Sequence, residues 1–252
     1  MAFDWTYFWA QLFTPSTAFL DGLFLTVFMA VAAQILGSVL GLVIALGKMA
    51  RSRVLRGLAG VYIWIVRGTP LLVQIVFIYT GLAAANILRF NDITLSGITF
   101  PGSVQAGILA LALNEAAYMA EIFRSGIGSV DSGQFEAAKA LGMPPATMFR
   151  HIVMPQALRI ILLPIGNQFN IMLKNTTLVS VIGVSEMLLV TETINSATFR
   201  TFELYSVLAL YFLALTSLWH LFMAWAEHRL ARSKTGLVPG QDAGATPKEV
   251  AA

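Results

Sequence analysis

The chain has 252 residues, 57% of them hydrophobic and only 12% charged, with a mean hydropathy of +0.75. Soluble domains carry about 25% charged residues, so the composition excludes a water-soluble enzyme and points to an integral membrane protein. The absence of cysteine excludes disulfides, thiolate metal sites and cysteine nucleophiles, and the net charge of +3 is not gathered on a soluble module as nucleic-acid binding requires.

Before Lys48 the only charged side chains are Asp4 and Asp21. Residues 1–21 therefore lack the positive region of a cleaved leader and read as an outer, interfacial segment with Trp5, Tyr7, Phe8 and Trp9 as an aromatic belt. From Gly22 to Gly47 no charge occurs, and at 1.5 Å per helical residue this first span can cross a hydrocarbon layer of about 30 Å. Gly37-x-x-x-Gly41 within it predicts close helix packing. After Lys48, Arg51, Arg53 and Arg56, a second apolar stretch runs over 57–85, interrupted by Arg67-Gly68-Thr69-Pro70. That span is expected to be kinked or broken, with Arg67 available to satisfy the carbonyls freed at Pro70. A polar loop over 86–101 ends at Pro101-Gly102, and a third span covers 103–123.

Residues 124–159 carry too many charges, glycines and prolines to cross. Ser132-Gly133-Gln134 precedes a short helix over 135–141, which Gly142 can end in a left-handed conformation. Met143-Pro144-Pro145 stops continuation. A second short helix over 146–153 starts with Pro145 at its first position, and Pro155 restarts the chain toward the fourth span. The expected knob exposes Phe135, Ala138, Leu141 and Met143 for insertion into a partner's cleft. A fourth span follows over 160–185, with Lys174 inside it, and a fifth over 204–226. Residues 231–252 form a polar tail expected to be disordered.

Lys and Arg residues cluster on one side of this arrangement, around 48–56, 124–159 and beyond 229, against only Arg89 and Arg200 opposite. By the positive-inside rule the fold class is an all-α integral membrane protein with five transmembrane helices, N-terminus outside and C-terminus cytoplasmic. Residues 22–230 form its transmembrane domain and the 124–159 loop lies inside.

Polar groups at bilayer depth are costly and mark pathways or partners. Arg67, Gln74, Asn114, Glu115, Tyr118, Glu121, Asn167, Gln168, Asn170, Lys174 and Glu186 are the candidates. They fit two readings: a pathway that binds the ammonium and carboxylate of a zwitterion, or hydrogen bonds that join helices or subunits. Ser217 and His220 lack an oriented third group for catalysis, and the three dispersed histidines have no metal-ligand spacing.

Glu136-Ala137-Ala138, Gly142, Ile152 and Pro155 resemble the EAA motif of binding-protein-dependent ABC importer permeases, with Met154 where leucine is usual. Arg67-Gly68-Thr69-Pro70-Leu71, Ala117-Tyr118-Met119-Ala120-Glu121, Gln134-Phe135-Glu136-Ala137-Ala138 and Lys174-Asn175-Thr176-Thr177-Leu178-Val179-Ser180 are similar to the polar amino acid subfamily, of the histidine, glutamine and arginine type. The resemblance implies a MetI-like permease of a bacterial inner membrane that imports amino acids by alternating access. It also implies a second permease subunit, a solute-binding protein outside, and a cytoplasmic ABC ATPase dimer that holds ATP and Mg. Gln134, Phe135, Glu136, Ala137, Ala138, Gly142, Met143, Arg150 and Pro155 would couple to that ATPase. The chain itself has no G-x-x-x-x-G-K-[ST] phosphate loop, so it is expected to be a pathway without enzymatic activity or cofactor. The alternative, an ion-coupled secondary transporter, would show paired repeats, and none is seen.

Overall fold

The computed structural model describes residues 3–232 except Ser96, so the expected disorder of the tail beyond Arg232 lies outside the described residues. Helices begin where polar side chains accept orphan amides. Asp4 caps α1 (Trp5–Phe13), Ser16 caps α2 (Thr17–Met49) through the Phe19 amide at 3.2 Å, and Ser52 caps α3 (Arg53–Gly68). α4 (Leu71–Val76) continues through a π-helical turn at Phe77–Gly81 into α5 (Leu82–Ala84).

The expected break of the second span is present: α3 and the α4–α5 segment meet at 108°, because Pro70 has no amide to continue the ladder. The freed carbonyls are met by Gln74, not Arg67. Gln74 Nε2 donates to the carbonyls of Val66 and Thr69 at 2.8 and 3.1 Å. The loop that follows holds a two-stranded antiparallel hairpin, β1 (Ile93–Leu95) and β2 (Ile98–Phe100), with Ile93 opposite Phe100.

α6 (Gly102–Gly128) is the axis of the molecule: 72% of its apolar window is buried, against 17% for Thr201–Arg229. It lies close along α2 because two glycines face it. A Cβ at Gly37 would stand 2.6 Å from Glu115 Cβ, and one at Gly41 would stand 2.5 Å from Met119 Cβ, distances no pair of carbons tolerates. The principal core gathers around this contact, with Met29, Ala33, Ile75, Leu111, Met172 and Val179 buried.

α7 (Ser132–Ala140) and α8 (Pro145–Met148) follow. Pro145 takes the first position of α8 as expected, but the second short helix is not a separate piece. It passes through a π-helical turn, Phe149–Val153, straight into α9 (Met154–Asn175). Pro155 does not restart the chain. In the π-helical turn the Met154 amide bonds to the Phe149 carbonyl, five residues back. This widened turn accommodates a proline ring that would clash with a regular α-helical carbonyl. A 3-10 stretch, Thr176–Ile182, leads to α10 (Met187–Thr198) and α11 (Thr201–Arg232).

Among the described residues four runs are long and apolar enough to cross a bilayer, and the bent α3/α4–α5 pair makes a fifth if it counts as one span. α1 and α10 are too short. Outward faces remain apolar, with Phe24, Val39 and Val43 exposed on α2 and Leu213 and Leu218 on α11, as surfaces in lipid or against another chain must be. α1 rests on α11. Its Phe8 is buried, Tyr211 donates to the Leu12 carbonyl at 2.9 Å, and the Asp4 amide donates to Glu203 at 2.8 Å. Arg200 pairs with the Asp4 carboxylate and lies 4.3 Å from the Tyr7 ring centre.

Candidate functional site

Arg67, at the end of α3, Tyr118 and Glu121 on α6, and Gln168 on α9 line one cavity of about 450 Å³. The break after Gly68 lets Arg67 turn over the Tyr118 ring, with the guanidinium carbon 5.3 Å from its centre. Glu121 and Tyr118 lie three residues apart and so share a face of α6. Glu121 accepts from Arg124 at 2.8 Å. The lining thus offers two guanidinium groups, Arg67 and Arg124, a carboxylate paired with the second, a phenol, the Ser125 hydroxyl and an amide between walls made of Ile122, Ile160, Ile161 and Pro164, a mixture that fits a small polar ligand.

Behind this cavity three helices meet at Glu115. Its carboxyl is buried and accepts from Gln34 Nε2 of α2 at 3.2 Å and from Gln168 Nε2 of α9 at 3.1 Å. Gln168 therefore belongs to both the cavity wall and the junction. Sequence reasoning missed Gln34. The signal was available, as the only amide in a charge-free span, four residues from Ser38, to which it also donates at 3.2 Å. Asn114, one residue before Glu115, turns toward the bent segment and donates to Gln74 Oε1 at 3.0 Å.

The remaining polar candidates do not join this group. Asn167 and Asn170 face α11 in a separate cleft of about 150 Å³ with Trp219 and His220. Lys174 is exposed at the end of α9. Glu186 is fully buried as the cap of α10, accepting from the Leu188 and Leu189 amides at 2.9 Å each.

The knob between α6 and α9 is built on an apolar base. Ile127, Val130, Val153 and Ala157 form a buried cluster against which Phe135, Met148 and Phe149 pack. Phe135 is thus an anchor and Ala138 is buried, both contrary to the expected exposed face, while Leu141 is 81% exposed and Met143 half-buried. Gln134, Glu136, Ala137, Gly142, Arg150 and Pro155 are exposed. α7 ends in a complete Schellman motif. Gly142 has φ +68°, its amide donates to the Lys139 carbonyl at 2.9 Å, and the Met143 amide donates to Ala138 at 3.0 Å.

Comparison with known proteins adds to this geometry. Residues 37–232 match the family described as binding-protein-dependent transport system inner membrane component. The arginine transport system permease protein ArgU of Corynebacterium glutamicum is 42% identical over 188 residues, 73% of this chain and 58% of that protein's length. The glutamine transport system permease protein GlnP of Escherichia coli is 32% identical over 91% of this chain and 99% of its own. A crystal structure of an amino acid ABC transporter with histidines superposes with a TM-score of 0.79 at 38% identity, covering 91% of this chain and 100% of that one. With the match running from the middle of α2 to the end of α11, the chain belongs to the family of binding-protein-dependent transport system inner membrane components, as a permease of the bacterial inner membrane.

Proposed function

We propose that this permease moves polar amino acids into the cytoplasm by alternating access. Its N-terminus lies outside and its C-terminus in the cytoplasm, and it pairs with a second permease subunit. A solute-binding protein loads it from outside. ATP and Mg are held by a cytoplasmic ABC ATPase dimer that receives the α7–α8 knob. The observation that carries this reading is the 38% identity, across nearly the whole chain, to a transporter solved as an amino acid ABC transporter with histidines. The cavity supports it, since Arg67 complements the carboxylate of an amino acid and Glu121, shared with Arg124, is the carboxylate within reach of its ammonium. The knob is a compact projection, stiffened by its Schellman end and rooted on the two long helices α6 and α9. Motion imposed on it reaches both walls of the cavity.

The test is uptake of radiolabelled arginine, glutamine and histidine into proteoliposomes that contain the permease, its co-purified ATPase and the binding protein. Uptake that needs ATP and persists when ion gradients are collapsed is expected. Uptake that proceeds without the ATPase and stops with an ionophore would establish ion-coupled secondary transport instead.

A further inference from the structure

α1 takes no part in the spans, the cavity or the knob, yet it carries the densest group of aromatic rings in the molecule. Trp5, Trp9 and Phe13 recur every fourth residue and so form one stripe. They are 62%, 47% and 74% exposed. Trp5 and Trp9 stack with centres 6.4 Å apart, and Trp9 and Phe13 with centres 5.7 Å apart. Phe3 extends the row, 4.6 Å from Trp5 and 5.4 Å from Phe202 at the start of α11, itself 73% exposed. α1 is fixed to the protein by buried Phe8, whose ring meets those of Trp5 and Trp9, and by the Asp4–Arg200 pair. No residue of α1 itself is charged.

We infer that this unbroken row, Phe202–Phe3–Trp5–Trp9–Phe13, is a lipid-facing seat that lays α1 along the headgroup layer of the bilayer. Three features select lipid over another protein. α1 ends only a few residues before α2, whose first turns expose Leu20 and Phe24 on the apolar face that continues into the membrane. Tryptophan favours the headgroup level, where its ring is half in hydrocarbon and its N–H can reach water. The charged groups Asp4, Arg200 and Glu203 gather at the Phe3–Phe202 end of the row, a polar end suited to the water side of the headgroup layer.

The chain contains no cysteine, so a nitroxide can be placed at Trp9→Cys or Phe13→Cys without further change, in the full chain in nanodiscs of phosphatidylethanolamine and phosphatidylglycerol. Both labels should collide with oxygen and lose collision with a water-soluble nickel complex, relative to a label at Gln134→Cys on the exposed knob. Collision with nickel equal to that of the knob label would place the stripe in water and overturn the inference. Shielding from both reagents, or spin–spin broadening, would show that a second copy or another chain covers it, and would overturn it equally. Unlabelled protein in brominated lipid gives a second reading free of any effect of the label on folding. Bromine near the glycerol end should quench a tryptophan component that Trp5→Phe with Trp9→Phe removes, and persistence of that component in the double variant would count against the seat. Neither measurement involves ATPase or substrate, so failure here leaves the importer reading standing.

Discussion

Gly142 holds φ +68° with nothing within 4 Å of where a Cβ would lie, so its replacement by alanine meets no neighbour and costs only the left-handed backbone penalty, about 1–2 kcal/mol. Gly142→Ala should therefore loosen the end of α7 and lower recovery of the ATPase on purification. Gly142→Asn should lower it less, because asparagine tolerates this conformation. Equal recovery from all three proteins would mean that the shape of this corner does not matter to the partner. At the Glu115 junction, Glu115→Leu removes the acceptor shared by Gln34 and Gln168; Gln34 keeps Ser38 and Gln168 reaches the cavity, so the loss is that of the two hydrogen bonds, about 0.5–1.5 kcal/mol each. Glu115→Gln keeps the volume and an acceptor. Thermal unfolding in detergent should rank wild type first, the glutamine variant second and the leucine variant last; a leucine variant as stable as wild type would remove the junction from the account of stability. The glycine was legible from its place after a short helix and before two prolines. The junction was not, because its third member is a neutral amide in an apolar helix and only packing reveals which face it occupies.

Among the elements, α1 shows how a short helix is held by few contacts. The Tyr7 amide, and after it the Arg200 guanidinium, keep the Asp4 carboxyl below its ordinary value of 3.8. A carboxyl lowered on folding contributes stability above its unfolded value and loses it as pH falls through the lower folded one, so the hold on α1 is complete at neutral pH and fades only below about pH 4. Tryptophan emission should stay constant from pH 8 to pH 5 and change under stronger acid, whereas Asp4→Asn should show the altered emission already at pH 7. A change in wild type near pH 6 would point to a different group. The ends of the first, third and fifth spans read from charge runs fall inside α2, α6 and α11, because charges mark where the bilayer ends and helices continue past it, whereas the second and fourth were read past Ala84 and Ile182, where the helices stop within apolar sequence. α10 and the β1–β2 hairpin were illegible for a related reason. They lie among polar residues, where neither a charge-free run nor a long periodic pattern announces them.

At the scale of the whole molecule, four to five candidate spans and the break at Pro70 followed from apolar lengths and the Arg67-Gly68-Thr69-Pro70 interruption, and the site's division into cavity and knob followed in part from motifs. Which polar groups meet was beyond the sequence. Lys174 and Glu186 look alike as isolated charges in apolar surroundings, yet one points away from the chain and the other closes a helix start. The orientation can be tested directly in spheroplasts. A membrane-impermeant maleimide should label Asn91→Cys in intact spheroplasts and Gln134→Cys only after permeabilisation. Labelling of both in intact spheroplasts, or the reverse pattern, would overturn the assignment made from basic residues. The glycine contact between α2 and α6 is also a global property, since α6 organises the rest. Gly41→Leu should abolish folded yield, whereas a leucine at Gly57, where a Cβ meets nothing within 4 Å, should be tolerated.

The passage from α8 through the π-helical turn into α9 sets a rotational phase. Each residue of an α-helix advances the next by about 100°, and a π-helical turn of this kind holds its surplus residue without breaking the rod. Because the five residues of the π-helical turn rotate the chain by about as much as four α-helical ones, deleting Ile152 would convert the turn to regular helix with Gln168 still facing Glu115, while bringing the Pro155 ring against a regular α-helical carbonyl. The single surplus residue is thus a slack that admits the proline at the root of the knob while the face of α9 that looks into the cavity stays where a straight helix would put it.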